Sequence, residues 1–385
     1  MNHTATLGRR PARIGFWQAA FFVLLLLLGV VTVLRFTQGL GATTNLSDRF
    51  PWGLWIGFDV LCGVGLAAGA FTLMATVHIF NIRRFEPIVR PTLLTGFLGY
   101  LFVIVALMFD LGQPWRIWHA LVFWNPHSVM FEVAWCVMLY TTVLAIEFSP
   151  IVFEKLRLER MRRMIHAIGT PLVIAGVLLS TLHQSSLGSL YLIVPAKLHP
   201  LWYTPFLPLL FYVSAIGAGI GMTIVESHLS GRAFGRRLEM NLLGPLARAM
   251  VVVLGLYGVL RLQILFRNGA LAGLLHPGYE EGLFLLEFGL GVVLPVALLS
   301  FPRVRRNETG LVVGGFLAVL GFVLNRLNVS VTGMERAAGL RYFPSWMEVA
   351  VSVGLVAIGF AVFAFAAKYL PIFEDTKGAH PSSGE

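Results

Sequence analysis

Ionisable side chains lie inside long apolar segments of this sequence. Near the centre of a bilayer such a side chain costs about 2.5–3.5 kcal/mol, so it is rarely kept without a partner or a task. Carboxylates and imidazoles exchange protons near neutral pH when their surroundings tune them. A quinone gains two electrons and two protons, and it needs such groups beside its carbonyl oxygens. We therefore predict a quinone site whose candidate ligands are Asp59, Asp110, Glu132, His183 and Gln184.

Two further carboxylates, Glu147 and Glu226, lie nearer the opposite ends of their apolar segments. Carboxylates at different depths can relay protons across a membrane. We predict a proton path that uses Glu132, Glu147 and Glu226. The alternative for these acidic residues is a structural bond to a neighbouring helix, and Arg261 with Glu287 is a candidate pair of that kind.

The elements that must position these residues are transmembrane helices. Hydrophobic residues make up 57% of the chain and charged residues only 12%, whereas soluble proteins carry about 25% charged residues. Only helices and closed barrels satisfy the backbone in lipid, and apolar runs of this length are helical. The sequence predicts an all-α integral membrane protein with ten spans. They cover roughly 14–34, 53–79, 92–110, 128–149, 164–185, 205–228, 243–267, 281–301, 309–327 and 346–370.

The positions of the basic residues predict the orientation. Lys and Arg concentrate in alternate loops, around 9–13, 83–90, 155–163, 232–237 and 303–306. Cytoplasmic loops of membrane proteins carry such an excess. We therefore expect a bacterial inner-membrane protein with a retained first helix and both termini in the cytoplasm. The candidate quinone ligands then share the outer, periplasmic half of the membrane.

Composition also limits the cofactors and partners. Cys62 and Cys136 both lie in apolar segments and form no CxxC pair, so no iron–sulfur cluster or structural metal is expected in this chain. The net charge of +10 is explained by the basic loops, and no nucleic acid partner is expected. His78, His166 and His228 lie near the inner ends of their helices, so a single haem in the inner half of the membrane stays possible. No helix carries two histidines on one face at opposite depths, so we expect no haem.

Five sequence motifs resemble one family of membrane proteins. They are FPWGLWIGFD (50–59), SVMFE (128–132), LHQSSLGSL (182–190), HPLW (199–202) and YFPSWMEVAVSVG (342–354). Together they are similar to the HybB-like membrane subunits of group-1 nickel–iron hydrogenases. These subunits form a branch of the NrfD/polysulfide-reductase membrane-subunit family, and the resemblance runs over nearly the whole chain.

The resemblance implies a single polytopic domain (1–385) with two four-helix bundles. Helices 2–5 (53–185) and 6–9 (205–327) would form the bundles, helices 1 and 10 would flank them, and 371–385 would be a short cytoplasmic tail. It also implies that menaquinone binds in the outer half of the first bundle. The membrane glutamates that the family associates with proton movement fall on Glu132 and Glu226.

The partners that the resemblance implies are a periplasmic ferredoxin-like iron–sulfur subunit and the small and large hydrogenase subunits. All iron–sulfur and nickel–iron centres would lie in those partners, and the quinone chemistry would occur in this chain. Two alternatives stay open. A DsrP-like quinone-interacting subunit of a sulfur-metabolism complex belongs to the same family, and a secondary transporter would also use ten helices with buried carboxylates.

Overall fold

The structure is a computed structural model that describes residues 15–236, 238–275 and 278–373. Within these residues it has ten helices long and apolar enough to cross a membrane. We label them α1 (Phe16–Gln38), α2 (Trp55–Ile79), α3 (Arg83–Asp110), α4 (Val129–Lys155), α5 (Gly169–Ile193), α6 (Leu207–Phe234), α7 (Met240–Arg267), α8 (Tyr279–Ser300), α9 (Glu308–Ala338) and α10 (Trp346–Tyr369). The predicted all-helical fold with ten spans is confirmed, and the chain is a multi-pass integral membrane protein.

Several helices begin or end away from the predicted positions, and for three of them the structure shows the reason. α3 starts earlier than predicted, because a 3-10 turn at Arg83–Phe85 leads into an α-helix that begins at Glu86, and Pro87 lies in the first turn of that α-helix, where the missing N–H has no intrahelical partner to lose. α5 starts at Gly169 because a separate amphipathic helix, Glu159–Ala167, precedes it. α9 continues past its predicted end through a π-helical segment, Asn328–Thr332.

Further π-helical segments lie in α2, at Trp55–Val60 and Ala75–Ile79, and in α8, at Gly289–Val293. π-helical turns are rare in proteins, and those that do occur often lie at functional sites. They also change which side of the helix the later residues face, since each residue advances a helix by about 100°. Asp59 lies in the first of these segments.

Packing divides the helices into neighbouring sets. In the first group (α2–α5), α2 and α4 each pack on both α3 and α5; in the second group (α6–α9), α6 and α8 each pack on both α7 and α9. The central helix α6 also contacts α2 and α5, while α10 packs on α1 and α3. A Cβ atom on Gly69 would lie 2.7 Å from the carbonyl oxygen of Gly219, so α2 and α6 touch along their backbones. The division into two four-helix bundles remains our interpretation.

We call the outer end of the molecule the end at which α2 begins and α3 ends. This is the predicted periplasmic side. The basic stretch at 9–13, Arg237 and residues 374–385 of the predicted tail lie outside the described residues. The first residues of that tail fold back on the inner end, where Arg90 donates a hydrogen bond to the carbonyl oxygen of Pro371 over 2.8 Å.

Candidate functional site

A cavity of about 470 Å³ lies between α2, α3, α6 and α10. Its walls are almost entirely apolar, and their polar side chains are those of Asp59, Cys62, Thr95, Glu226 and Ser230. Small-molecule sites have volumes of about 300–1,000 Å³ and walls with few polar groups. Several wall residues are exposed on the surface of the helix assembly, which opens the cavity sideways to the surrounding lipid. They include Leu229, Val356 and Phe360.

The outer part of the cavity is marked by Asp59, which lies in the first turns of α2. Its Oδ2 atom accepts a hydrogen bond of 2.5 Å from the hydroxyl of Ser352 on α10. The thiol of Cys62, one turn further into the membrane, donates to the carbonyl oxygen of Gly57 over 3.3 Å. α10 therefore supplies both a wall of the cavity and the partner of its outer carboxylate.

Asp110, at the outer end of α3, lies within electrostatic range of Asp59, Arg35 and Glu348. Arg35 is buried and holds the end of α3, because its guanidinium donates to the carbonyl oxygens of Phe109 and Leu111, each over 2.6 Å. Two of the predicted quinone residues are thus close to each other. A cation on α1 and a further carboxylate on α10 accompany them.

Glu348 is fully buried at the start of α10 and has several donors. The backbone N–H groups of Asn45 and Ser345 donate to Oε2 over 3.0 and 2.8 Å, and the hydroxyl of Tyr342 donates to Oε1. Burial and the Glu348 carboxylate raise the pKa of Tyr342 above its ordinary value, so this hydroxyl stays protonated and remains a donor. Tyr342 and Glu348 both lie in the 342–354 motif, which was the available sequence indication of their importance.

The inner part of the cavity is marked by Glu226 on α6. Its carboxyl group is buried beside the hydroxyl of Thr95, and its Oε2 atom has no hydrogen-bond partner among the described residues. A buried polar atom without a partner is costly, and it indicates a missing water or ligand. Asp59 and Glu226 therefore place two carboxylates at different depths of an apolar cavity.

His183 and Gln184 are buried inside the first group and do not line this cavity. The hydroxyl of Tyr100 lies 2.8 Å from Nδ1 of His183, and the Gln184 amide donates to the carbonyl oxygen of Val64 over 3.0 Å. Glu132 lies in the first turn of α4 and is exposed. The five predicted quinone ligands thus share the outer half of the molecule without lining one pocket.

The second group contains a buried network centred on Glu287. Trp202 donates to its carboxylate over 3.2 Å, Asn325 over 2.9 Å and Asn328 over 2.5 Å. Arg261 lies 4.0 Å away, which gives the predicted pair with Glu287. The sequence did not indicate Asn325, Asn328 or Trp202 as its partners, because they come from α9 and from the loop before α6.

Three of the histidines inside or near the spans, His78, His183 and His228, contact other protein groups. His78 bonds the carbonyl oxygen of Met74 in its own helix, and His228 lies 3.0 Å from Glu308. His183 is held by Tyr100, and His166 is exposed. Among the residues that the structure describes, no group of three or more His, Cys, Asp or Glu side chains could hold a metal ion. The absence of a haem stays a prediction.

Comparison with known proteins gives one family match. The model of the family described as "Polysulphide reductase, NrfD" matches residues 42–338. A protein of Nitratidesulfovibrio vulgaris whose name states no function is 41% identical over 93% of this chain and 95% of its own length. The "probable Ni/Fe-hydrogenase 2 b-type cytochrome subunit" of Escherichia coli is 32% identical over 93% and 92%. The "menaquinone reductase, integral membrane subunit" of N. vulgaris is 31% identical over 87% and 86%.

Proposed function

Because this chain belongs to the NrfD/polysulphide reductase family, we propose that it is the quinone-reactive membrane subunit of a periplasm-facing respiratory oxidoreductase. In this proposal it anchors the complex in the inner membrane and passes electrons between iron–sulfur subunits of a nickel–iron hydrogenase and menaquinone. The names of two relatives, a hydrogenase subunit and a menaquinone reductase subunit, support the two halves of this proposal.

The observation that carries the proposal is the cavity between α2, α3, α6 and α10. An isoprenoid quinone needs an apolar, lipid-accessible groove for its chain and a few polar groups for its ring. This cavity is open to lipid, has aromatic walls at Phe58, Phe102 and Phe360, and has two carboxylates at different depths. Menaquinone bound there would take up two electrons and two protons.

Asp59 is the group that we assign to the quinone ring. Ser352 fixes its Oδ2 atom at the outer part of the cavity, where a carboxyl group can give a proton to the ring and accept one from it. Arg35 fixes the end of α3 on which Asp110 lies. Glu226, at the inner part of the same cavity, is the group that we assign to proton exchange with the cytoplasmic side. Roles for Glu132, His183 and Gln184 at the ring stay predictions that this cavity does not support.

The outer surface supports the docking of redox partners. The loop between α3 and α4 exposes large aromatic side chains, at Trp115, Trp118, Phe123 and Trp124. Aromatic residues are common anchors in protein interfaces and also lie at the lipid headgroups. The partners that we propose there are a ferredoxin-like iron–sulfur subunit and the hydrogenase small and large subunits.

The test is Asp59→Asn in the intact membrane complex, compared with Asp48→Asn, which changes an exposed carboxylate in an outer loop. Loss of the proton-transferring group should lower hydrogen-dependent quinone reduction on the order of 10²-fold, while the control keeps the parent rate. Full activity of Asp59→Asn in an assembled complex would exclude Asp59 from the site. Affinity purification identifies the partners. Recovery of sulfur-metabolism subunits in place of hydrogenase subunits would reject the hydrogenase assignment and support the DsrP-like alternative.

A further inference from the structure

A short helix, Glu159–Ala167, joins the inner ends of α4 and α5, and we call it the surface helix. α4 ends at Lys155 and α5 begins at Gly169, so the surface helix lies where two spans leave the membrane. It contacts the ends of both spans, yet none of its residues is buried. Most of its surface is therefore left for a contact outside the protein.

The apolar side of the surface helix is uncovered. Met161, Met164, Ile165 and Ile168 lie within about 100° of one another, at 100° per residue. Met161, Met164 and Ile168 are exposed, and Ile165 is half-buried. An amphipathic helix at a membrane surface buries such a face roughly 5–10 Å into the boundary between headgroups and acyl chains. Because two spans end beside it, lipid is the medium that can cover this face.

The other side of the surface helix and the turn before it carry cations. Two carboxylates of this region are already paired, since Glu154 accepts a hydrogen bond from Arg90 over 3.1 Å and Glu159 lies 3.5 Å from Arg162. Four further side chains are exposed and have no hydrogen bond or ion pair within the part of the chain that the structure describes. They are Lys155, Arg157, Arg160 and Arg163. Unpaired positive charge beside an apolar face is complementary to anionic headgroups.

Arg157 occupies a backbone position that favours glycine. Its φ is +57°, in the left-handed region. The N–H of Leu158 donates to the carbonyl oxygen of Phe153 over 2.9 Å, and the N–H of Arg157 to that of Glu154 over 3.2 Å. These are the two bonds of a Schellman motif, in which the left-handed residue is usually glycine. The turn gives no reason for an arginine here, so its exposed guanidinium points to a contact outside the protein.

We propose that the surface helix and the turn before it form a binding site for an anionic phospholipid at the inner end of the molecule. The apolar face lies among the upper acyl chains. Arg160 and Arg163 are three residues apart on one helix, so their Cβ atoms are about 5–6 Å apart and both can reach one phosphodiester group. Guanidinium groups bond phosphate oxygens through two parallel N–H donors. The site anchors the inner ends of α4 and α5, and it does not depend on the proposed quinone chemistry.

The orientation of the surface helix is tested with nitroxide labels on Met164→Cys and, separately, on Arg163→Cys. The intact complex is placed in nanodiscs of phosphatidylcholine and phosphatidylglycerol. Cys62 and Cys136 are buried, so the unsubstituted protein should take up no label. The label at 164 should collide more often with oxygen than with a water-soluble nickel chelate, and the label at 163 should show the reverse. Equal exposure of both labels to the nickel chelate would overturn the insertion.

Lipid preference is tested by hydrogen exchange of the surface-helix amides in nanodiscs with increasing phosphatidylglycerol. The anionic lipid should slow this exchange at least about tenfold relative to pure phosphatidylcholine. Arg163→Gln should raise the fraction of phosphatidylglycerol needed for half protection about fivefold. The control is Lys197→Gln, which removes an exposed cation from an outer loop and should leave that fraction unchanged.

Arg157→Gly separates lipid binding from folding, because glycine suits the left-handed turn. Its thermal midpoint in pure phosphatidylcholine should equal or exceed that of the parent, while it loses lipid preference as Arg163→Gln does. Exchange that ignores phosphatidylglycerol, or parent-like protection in both arginine variants, would overturn the site. Protection by inorganic phosphate alone in phosphatidylcholine would also overturn the lipid assignment. Protection in either lipid that requires the other subunits of the complex would assign this face to a partner protein instead.

Discussion

The two groups of four helices both bury polar side chains, but they satisfy them in different ways. In the second group, Glu287 accepts hydrogen bonds from three side chains, and a partly compensating cation lies 4.0 Å away. In the first group, seven buried polar atoms have no partner among the described residues, whereas the second group has two, Glu226 Oε2 and Arg261 Nε. A network whose members bond each other fixes one arrangement of its helices, whereas polar atoms without a partner need water or another group to satisfy them.

Arginine accounts for much of this difference. Arg326 donates to Asn325 over 2.8 Å and to Ser214 over 2.9 Å, and it lies 3.6 Å above the ring of Phe211. Arg261 donates to the carbonyl oxygen of Leu201 over 2.9 Å. Two buried cations thus depend on one carboxylate, so Glu287 holds the second group together. The buried polar residues inside the first group include neither Lys nor Arg, so the loss of one of them leaves no buried Arg without its carboxylate; they include Tyr100, Tyr140, Ser180, His183 and Gln184.

The largest expected effect follows from Glu287→Leu. The substitution leaves Arg261 and Arg326 buried without their carboxylate, and breaking a buried ion pair costs about 3–5 kcal/mol. We expect a large drop in the free energy of unfolding, measured by denaturant titration in detergent micelles. The control is Glu308→Gln, whose carboxylate is largely exposed beside His228 and should cost less than about 1 kcal/mol. Equal stability of the two variants would remove the contrast between the groups.

The next effect compares one hydrogen-bonding aromatic residue from each group. Trp202→Phe removes a donor to the buried Glu287 and should cost about 1.5–3 kcal/mol, as expected for a bond to a charged group. Tyr100→Phe removes a bond between two neutral groups, Tyr100 and His183, so about 1 kcal/mol is expected. The same titration measures both. A larger loss for Tyr100→Phe would contradict this contrast between the two groups.

The sequence predicted how deep in the membrane the site residues lie better than it predicted which side of its helix each one faces. Depth follows from counting along a helix, and this placed Asp59 and Asp110 near each other at the outer end. The side of the helix that a residue faces depends on the neighbouring helices, and Glu132 at the same depth is exposed. The π-helical segments, one of which contains Asp59, also break the regular count of residues per turn.

Partners from distant parts of the chain were the other feature that the sequence could not supply. Arg35 and Glu348 come from the flanking helices α1 and α10, and nothing in the spacing of apolar runs says that these pack beside α2 and α3. Tyr100 and Tyr140 are typical residues of an apolar span, so no sequence pattern separated them from the core. Their importance appears only when the unpaired atoms around them are seen in three dimensions.

The smallest expected effect concerns His199, which lies in the loop before α6 at the outer edge of the second group. Its Nδ1 atom accepts a hydrogen bond of 3.3 Å from the N–H of Leu201, and its ring lies 5.8 Å from that of Trp202, the donor to Glu287. Burial is the main reason why the pKa of His199 is lowered, with Arg336 acting in the same direction and Glu280 and Glu281 against it.

The folded protein therefore resists protonation of His199 where the unfolded chain, with an ordinary histidine pKa of about 6.5, already accepts the proton. Stability should fall as the pH drops below that value, since the unfolded state binds more protons. His199→Asn keeps an acceptor but cannot titrate, so its unfolding midpoint should change less between pH 7.5 and 5.5 than that of the parent. If the two proteins lose stability in parallel, His199 does not couple this loop to the Glu287 network. The acid sensitivity would then arise from other titratable groups of the protein.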